Sequence, residues 1–199
     1  MSEIFIKSSR LRELLKWIGS NYIAVPILHD IATHINERQV ENKEWLVDHV
    51  KEYIQMFPKE PKILILAGWY GLAGRMITDN IPCDVTVIDK NPECAVVGRR
   101  LYPNLVHKTA DLNDFEISGY NIIICTACEH ITDNEINNVL RKKDKSTVVF
   151  LQSNNYNEIE DHINCKKSVD DFANSLKLSS YKKYTLSLDK YERFMIIGK

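Results

Sequence analysis

The chain has 199 residues, of which 44% are hydrophobic and 27% are charged, and its formal net charge is -1. This composition is ordinary for a globular protein with a buried core, and the length suits one domain with a modest extension. The balanced charge argues against an extended nucleic-acid surface, although it leaves room for a local contact with a nucleic acid.

No segment of the sequence predicts export or a membrane span. Residues 1–7 are too few and too charged for a signal peptide, and no apolar run approaches the roughly 20 residues that cross a bilayer. The five cysteines are an odd number without the spacing of a disulfide framework. We therefore expect a cytoplasmic protein with reduced cysteines and no membrane partner.

Residues 1–57 show hydrophobic periodicity typical of helices. Apolar side chains recur at helical spacing within 11–18, 27–35 and 45–54, and Asn42 is a candidate N-cap for the last of these helices. The sequence therefore predicts an N-terminal helical extension.

The role of this extension is open at the level of sequence. Pro58 and Pro61 separate it from the rest of the chain. Trp17, Tyr22 and Trp45 are large enough to anchor its helices on a core. The extension could be a lid over a substrate pocket, a packing element or the surface of a homodimer.

From residue 62 onward, short apolar runs alternate with helix-like stretches. The runs lie at 63–67, 85–88, 121–126 and 148–151. Their brevity and uniform hydrophobicity are typical of parallel strands covered by helices on both faces. Two further strand-like segments, 181–188 and 192–198, are separated by three residues and predict a hairpin. The predicted fold class is α/β, with a Rossmann-like domain over residues 62–199.

The glycine turn Gly68-Trp69-Tyr70-Gly71 directly follows the first predicted strand. Glycines between a first strand and its helix let a ligand approach the backbone and face the helix N-terminus. The spacing differs from the dinucleotide fingerprint G-x-G-x-x-G, so the turn alone is a weak signal. Tight packing of the strand against the helix, without a ligand, explains it as well.

Two carboxylates follow the next strands. Asp89, followed by Lys90, comes about 20 residues after Gly68, the separation at which a carboxylate binds ribose hydroxyls. Asp111, followed by Leu112, comes after a third strand and can accept a hydrogen bond from the amine of an adenine. The alternative for each carboxylate is a turn or a helix cap.

This order of parts, with the terminal hairpin, resembles the class I S-adenosylmethionine-dependent methyltransferases over residues 62–199. The resemblance implies a seven-stranded sheet whose last strand is antiparallel, and S-adenosylmethionine as cofactor. It also implies that the glycine turn holds the methionine part, that Asp89 holds the ribose and that Asp111 with Leu112 holds the adenine. The expected cofactor contacts are Gly68, Trp69, Tyr70, Gly71, Asp89, Lys90, Asp111, Leu112 and Thr126.

Three segments, Gly-Trp-Tyr-Gly, Cys-Glu-His-Ile and Leu-Gln-Ser-Asn-Asn-Tyr, also look like a small group of phage-encoded methyltransferase-like proteins. The chain departs from the wider class at Leu66, where an acidic residue is usual two positions before the first glycine. It also lacks an Asn/Asp-Pro-Pro-Tyr tetrapeptide after the fourth strand, which makes methylation of a base amino group less favoured.

The segment 125–130 after the fourth strand contains the candidate catalytic residues. His130 is the candidate general base, because an imidazole titrates near neutral pH, and Glu129 could orient it or bind an amino substrate. Alternatively, His130 caps the following helix. Cys125-x-x-Cys128-x-His130 lacks a second pair at zinc-site spacing, so we expect no metal there.

Polar residues after the fifth strand and in the hairpin are candidates for substrate contacts, because open α/β sheets bind ligands beyond the carboxyl ends of their strands. The alternatives are a polar loop that covers the sheet and an edge-strand surface. The candidates are Gln152, Asn154, Asn155, His162, Tyr191 and Arg193.

Together these features predict a methyltransferase for a small-molecule, nucleotide or amino-acid acceptor. One alternative is a cofactor-binding protein with a regulatory or interaction role and no methyl transfer. A nicotinamide-dependent oxidoreductase is a weaker alternative, because the sequence contains one nucleotide-binding half and then the hairpin.

Overall fold

The computed structural model describes residues 36–199. The helices predicted before residue 36, with Trp17 and Tyr22, lie outside the described residues. Within residues 36–199, no helix is both long enough and apolar enough to cross a membrane.

Helices and strands alternate along most of the described chain. In chain order they are α1 (Glu37–Ile54), β1 (Lys62–Leu66), α2 (Leu72–Thr78), β2 (Asp84–Asp89), α3 (Pro92–Leu101), β3 (Val106–Thr109), β4 (Ile122–Cys125), a 3-10 turn (Cys128–His130), α4 (Asp133–Lys142), β5 (Val148–Asn154), α5 (Val169–Ser175), β6 (Tyr181–Ser187) and β7 (Glu192–Gly198).

The strands form one seven-stranded sheet in the order β3-β2-β1-β4-β5-β7-β6. Strands β1 to β5 pair in parallel, whereas β7 is antiparallel to both β5 and β6. This confirms the predicted Rossmann-like α/β fold and its antiparallel last strand.

Apolar side chains cover both faces of the sheet. Successive strand residues point to opposite faces, so Ile63 and Ile65 contribute to one core and Leu64 and Leu66 to the other. All four residues of β4 are buried, as expected for a central strand with helices on both sides. The apolar runs read from the sequence are therefore runs of doubly covered strands.

Helix α1 begins earlier than the sequence predicted. Its N-cap is Asn36, whose side chain accepts a hydrogen bond from the amide of Gln39. The expectation of a cap at Asn42 is wrong, since Asn42 is buried within the helix. Leu46 and Val50 pack into the same core as β1 and α2, so α1 is joined to the sheet domain.

The strand order reverses between β1 and β4, because the chain leaves β1 toward β2 and β3 and later returns on the other side to form β4 and β5. A crevice opens at the carboxyl ends of parallel strands where the order reverses in this way. The loops after β1, β2, β3 and β4 meet around that crevice.

Candidate functional site

A cavity of about 640 Å³ occupies this crevice, a volume in the range of small-molecule and cofactor sites. Helix α1 contributes Gln39 and Lys43 to its wall. The predicted site residues that line the cavity are Gly68, Trp69, Asp89, Lys90, Asp111, Leu112, Thr126, Glu129 and His130.

The glycines of the turn after β1 are required by the protein's own packing. A Cβ atom on Gly68 would lie 2.5 Å from Cγ1 of Val87. Gly71, the N-cap of α2, has a φ angle of +94°, and a Cβ atom there would lie 2.7 Å from Cε1 of His107. Strand-to-helix packing, the alternative considered from the sequence, therefore explains why both positions are glycine, although Gly68 also borders the cavity.

The two aromatic residues of the turn have different positions. Trp69 lines the cavity, whereas Tyr70 is buried in the core and its ring stacks on Trp69 at a centroid distance of 3.9 Å. Tyr70 and Gly71 are not part of the cavity wall. Ala67 and Trp69 both have positive φ angles, of 45° and 50°, which non-glycine residues adopt mainly where the surrounding structure imposes them.

Asp89 lies at the end of β2 and combines a structural role with an exposed face. Its Oδ2 accepts a hydrogen bond from the amide of Trp69 at 3.0 Å, and its Oδ1 accepts one from the amide of Asn91 at 3.0 Å. Each carboxylate oxygen can accept a second hydrogen bond. Asp89 therefore holds the glycine turn in place and can still bind hydroxyl groups of a ligand.

Asp111 and Leu112 border the cavity beyond β3. Oδ1 of Asp111 accepts a hydrogen bond from the amide of Asn113 at 2.8 Å, so the predicted turn is present. The same carboxylate borders the cavity together with the apolar side chains of Leu112 and Ile88. A carboxylate beside apolar walls suits a flat ring with an amino group.

Glu129 is a buried carboxylate at the other side of the cavity, with 4% of its surface exposed. Its Oε1 accepts hydrogen bonds from Nη1 of Arg193 at 2.6 Å and from Nδ2 of Asn154 at 2.9 Å. Arg193 also donates to the carbonyl oxygen of Thr126. Oε2 of Glu129 has no hydrogen-bond partner among the described residues.

None of the six predicted substrate contacts, His162 included, lines the cavity. Arg193 and Asn154 are buried and approach the cavity through Glu129, while Gln152 is buried with its amide nitrogen 3.6 Å from Sδ of Met195. Asn155 accepts a hydrogen bond from the amide of Glu192 at 2.9 Å. Tyr191 stacks on Tyr156 at a centroid distance of 5.4 Å. In this structure the polar loop therefore supports the hairpin and Glu129.

His130 is exposed to the cavity and is not the cap of α4. Thr132 is that cap, and it forms a capping box with Glu135, so the capping alternative for His130 is wrong. Nδ1 of His130 lies 2.9 Å from the carbonyl oxygen of Asp161. Because a carbonyl oxygen can only accept, Nδ1 carries a proton in this contact, which places the lone pair of the neutral ring on Nε2.

Lys43 is a cavity residue that the sequence analysis missed. Its Nζ donates to Oε1 of Gln39 at 2.9 Å. Burial lowers the pKa of Lys43 from 10.5 to about 7, and the positive charge of Arg193 adds to the lowering while Glu129 opposes it. Helical spacing of Gln39 and Lys43 was the only signal for this position, and it does not indicate which face meets a cavity.

Cys125 and Cys128 belong to the core instead of the cavity. Both thiols are buried among apolar residues, and burial raises the pKa of Cys128 well above its usual value. Neither cysteine approaches the cavity wall that contains His130. A Cys-Cys-His cluster is therefore not assembled here.

No protein-family model matches the sequence, and no curated protein matches it. Solved structures do match. The plantazolicin methyltransferase BpumL in complex with SAH is 15% identical, with 96% of each chain covered and a TM-score of 0.65. A TehB-like SAM-dependent methyltransferase from Corynebacterium glutamicum is 13% identical, with 87% of this chain and 94% of that chain covered and a TM-score of 0.59.

A ribosomal protein L11 methylase from Lactobacillus delbrueckii subsp. bulgaricus is 10% identical, with 82% of this chain and 80% of that chain covered and a TM-score of 0.59. The fold is that of the SAM-dependent methyltransferases. At these identities the likeness concerns the fold alone and does not identify a cofactor or an acceptor for this chain.

Proposed function

We propose that this protein is an S-adenosylmethionine-dependent methyltransferase for a small-molecule, nucleotide or amino-acid acceptor. The observation that carries the proposal is the continuity of the cavity. It joins the carboxylates Asp89 and Asp111 on one side to Glu129 and His130 on the other. A cofactor and an acceptor could therefore meet within one cavity.

The residues present fit an adenosine-containing cofactor. Asp89 would hold the ribose hydroxyls with its remaining lone pairs, and Asp111 with the Leu112 wall would hold the adenine. Gly68 and Trp69 would border the methionine part, with Thr126 close to the reacting end. Because Leu66 is apolar and buried, the ammonium group of the methionine part needs another partner in the cavity.

When bound, S-adenosylmethionine supplies a methyl group on a positively charged sulfur. Most of the rate of such a transfer comes from alignment and from deprotonation of the acceptor. His130 is placed for the second task, because its Nε2 lone pair is available while Asp161 holds the ring through Nδ1. Glu129, held by Arg193 and Asn154, would orient an acceptor or the imidazole.

Calorimetry with S-adenosylmethionine, S-adenosylhomocysteine and NAD tests the cofactor. We expect the first two ligands to bind and Asp89→Asn to raise their Kd about 10–100-fold, the loss expected for hydrogen bonds to a charged group. Asp84→Asn, at the other end of β2 and exposed, is the matched control and should bind like the wild type. NAD binding without binding of S-adenosylmethionine would contradict the proposal.

The same proteins, incubated with labelled S-adenosylmethionine and a cell extract, test transfer. We expect label in an acceptor with the wild type and with Asp84→Asn, and much less with His130→Ala. Cofactor binding without label transfer under any condition would instead support the regulatory alternative.

A further inference from the structure

Three metal-ligating side chains lie close together beside the cavity, and two of them, Glu129 and His130, line it. Glu129, His130 and His162 each offer one ligand atom, and these atoms lie within 4.8 Å of one another. His162 comes from the loop after β5, a position that the cysteine spacing near His130 did not indicate. The sequence predicted no metal site, so a site at this trio would depart from that prediction.

A second, independent feature at this place indicates a ligand. Oε2 of Glu129 is buried and lacks a hydrogen-bond partner within residues 36–199, while Glu129 as a whole borders the cavity. A buried carboxylate oxygen without a partner is costly unless a ligand satisfies it. Its other oxygen is already held by Arg193 and Asn154, which orients Oε2.

Both histidines have the arrangement that prepares an imidazole for a cation. Nδ1 of His162 lies 2.6 Å from the carbonyl oxygen of Tyr156, just as Nδ1 of His130 lies 2.9 Å from that of Asp161. A backbone carbonyl at Nδ1 fixes the tautomer in which Nε2 has the lone pair, and metal-ligating histidines are commonly held in this way. The two rings are 4.7 Å apart between centroids.

The loop that contains His162 is tied to the turn that contains the other two residues. The amide of Asn164 donates to the carbonyl oxygen of Glu129 at 2.9 Å, and its side chain donates to that of Ile131 at 2.7 Å. Nζ of Lys166 forms an ion pair with Asp133 at 2.8 Å. The close approach of His162 to His130 is therefore built into the fold.

We propose that Glu129, His130 and His162 bind one divalent transition-metal cation at the acceptor side of the cavity. Ligand atoms around a cation that binds at about 2.0–2.2 Å lie about 3.0–3.6 Å apart, so separations of up to 4.8 Å have to shorten by about 1–2 Å on binding. His130, the exposed member of the trio, is the ligand with the most room to move. Two imidazoles and one carboxylate favour ions such as Zn²⁺ or Fe²⁺ over Mg²⁺.

The charges around the trio also favour Zn²⁺ or Fe²⁺ over Mg²⁺. Arg193 already compensates part of the charge of Glu129, and Lys43 from α1 lines the same cavity. A site with so little net negative charge has to rely on the imidazole nitrogens. A hard cation that prefers several oxygens is therefore disfavoured.

This inference rests on the proposed function and narrows the acceptor. A cation held by three protein ligands keeps positions open to the cavity, and an oxygen of the acceptor would occupy one of them. The acceptor class is then a compound with a hydroxyl or carboxylate oxygen near the methylated atom. Nε2 of His130 cannot hold a cation and a proton together, so His130 is a ligand in the loaded protein and can be the general base only in the metal-free protein.

Calorimetry of the full chain, stripped with a chelator, tests the site with Zn²⁺ and with Mg²⁺ as probes. We expect one equivalent of Zn²⁺ per chain, much weaker binding of Mg²⁺, and a loss of at least about 10–100-fold in Zn²⁺ affinity for His162→Ala and for His130→Ala. His49→Ala is the matched control, because Nδ1 of His49 also contacts a backbone carbonyl, at 3.0 Å, outside the trio.

Two further measurements keep the outcomes distinct. We expect Cys165→Ser to bind Zn²⁺ like the wild type, because Sγ of Cys165 contacts Nδ1 of His162 at 3.6 Å and is not a member of the trio, and a loss as large as that of His162→Ala would overturn this ligand set. Binding of S-adenosylmethionine, measured on the same samples, should be unchanged in His162→Ala. A wild-type protein that does not bind S-adenosylmethionine would reject the proposed function and leave the metal site to be judged by the Zn²⁺ titrations. No Zn²⁺ binding by the wild type, or equal Zn²⁺ binding by wild type and His162→Ala, would overturn the metal site.

Discussion

The two sides of the cavity are built in different ways. On the side where we propose that the cofactor binds (the cofactor side), Asp89 and Asp111 accept hydrogen bonds from amides two residues further along the chain. On the side proposed for the acceptor (the acceptor side), Glu129 is held by Arg193, which is 64 residues away, and by Asn154, which is 25 residues away. The first side is organised mainly by local turns, with one longer-range hydrogen bond from the amide of Trp69 to Asp89, and the second by side-chain contacts between a turn and two distant strands.

This difference has an energetic consequence. Local turns leave partly exposed carboxylates that water can solvate when no ligand is bound. The Glu129–Arg193 pair is almost fully buried, so each charge depends on the other. Polar residues on the acceptor side therefore support stability as well as the site, whereas those on the cofactor side can be changed with less effect on folding.

The largest expected effect comes from removing one charge of the buried pair. We expect Arg193→Met to lower the free energy of unfolding by about 3–5 kcal/mol in urea titrations, because Glu129 would be left buried and uncompensated. The double variant Glu129→Gln with Arg193→Met should lose less than the sum of the single losses.

Arg38→Met is the control for this prediction. Arg38 pairs with Asp189, but the two side chains are 35% and 63% exposed, so Arg38→Met should unfold at nearly the same urea concentration as the wild type. Equal losses of unfolding free energy in Arg38→Met and Arg193→Met would show that burial does not determine the cost of breaking these ion pairs.

An intermediate effect is expected in the glycine turn of the cofactor side. Gly71→Ala should destabilise the protein by about 2–4 kcal/mol, because its positive φ is unfavourable and its Cβ would displace the buried His107. Gly119→Ala, with a φ of +78° and open space around the added Cβ, should cost only about 1 kcal/mol. Thermal or urea unfolding measures the stability loss of each variant. Equal losses in Gly71→Ala and Gly119→Ala would show that the contact with His107 adds no destabilisation.

The smallest expected effect concerns Lys43 and pH. Its pKa is about 7 in the folded chain and 10.5 in the unfolded chain, so between these values the unfolded state binds more protons and wild-type stability rises with pH. Below pH 7, Lys43 is charged in both the folded and the unfolded chain, so the wild type bears the full free-energy cost of burying that charge. Lys43→Met removes it, so the variant should be more stable than the wild type there, on the order of 1–2 kcal/mol because the cavity admits water.

This advantage should shrink as the pH rises from about 7 toward about 10, as followed by urea unfolding in the presence of a chelator. Lys51→Met, an exposed position on the same helix, is the matched control and should show no such trend relative to the wild type. A constant advantage of Lys43→Met across this range would contradict the lowered pKa.

The sequence predicted most of the sheet. Uniform apolar runs identified β1, β2, β4 and β5, and the terminal hairpin was recognised from its short turn. Position after a strand end also brought Asp89, Asp111 and His130 to the cavity wall. The start of α1 was predicted too late, because Asn36 and Asn42 are equally good caps by residue type and only the packing of Asn42 inside the helix distinguishes them.

What the sequence by itself determined is the set of strands, their helical connections and the local turns after them, since buried parallel strands need apolar runs and turns need particular residues. Only the tertiary structure decided that Arg193 neutralises Glu129, that His162 lies beside His130 and that Lys43 reaches the cavity from α1. These side chains meet through strand pairing and helix packing over tens of residues, and such contacts leave no periodic pattern in the sequence.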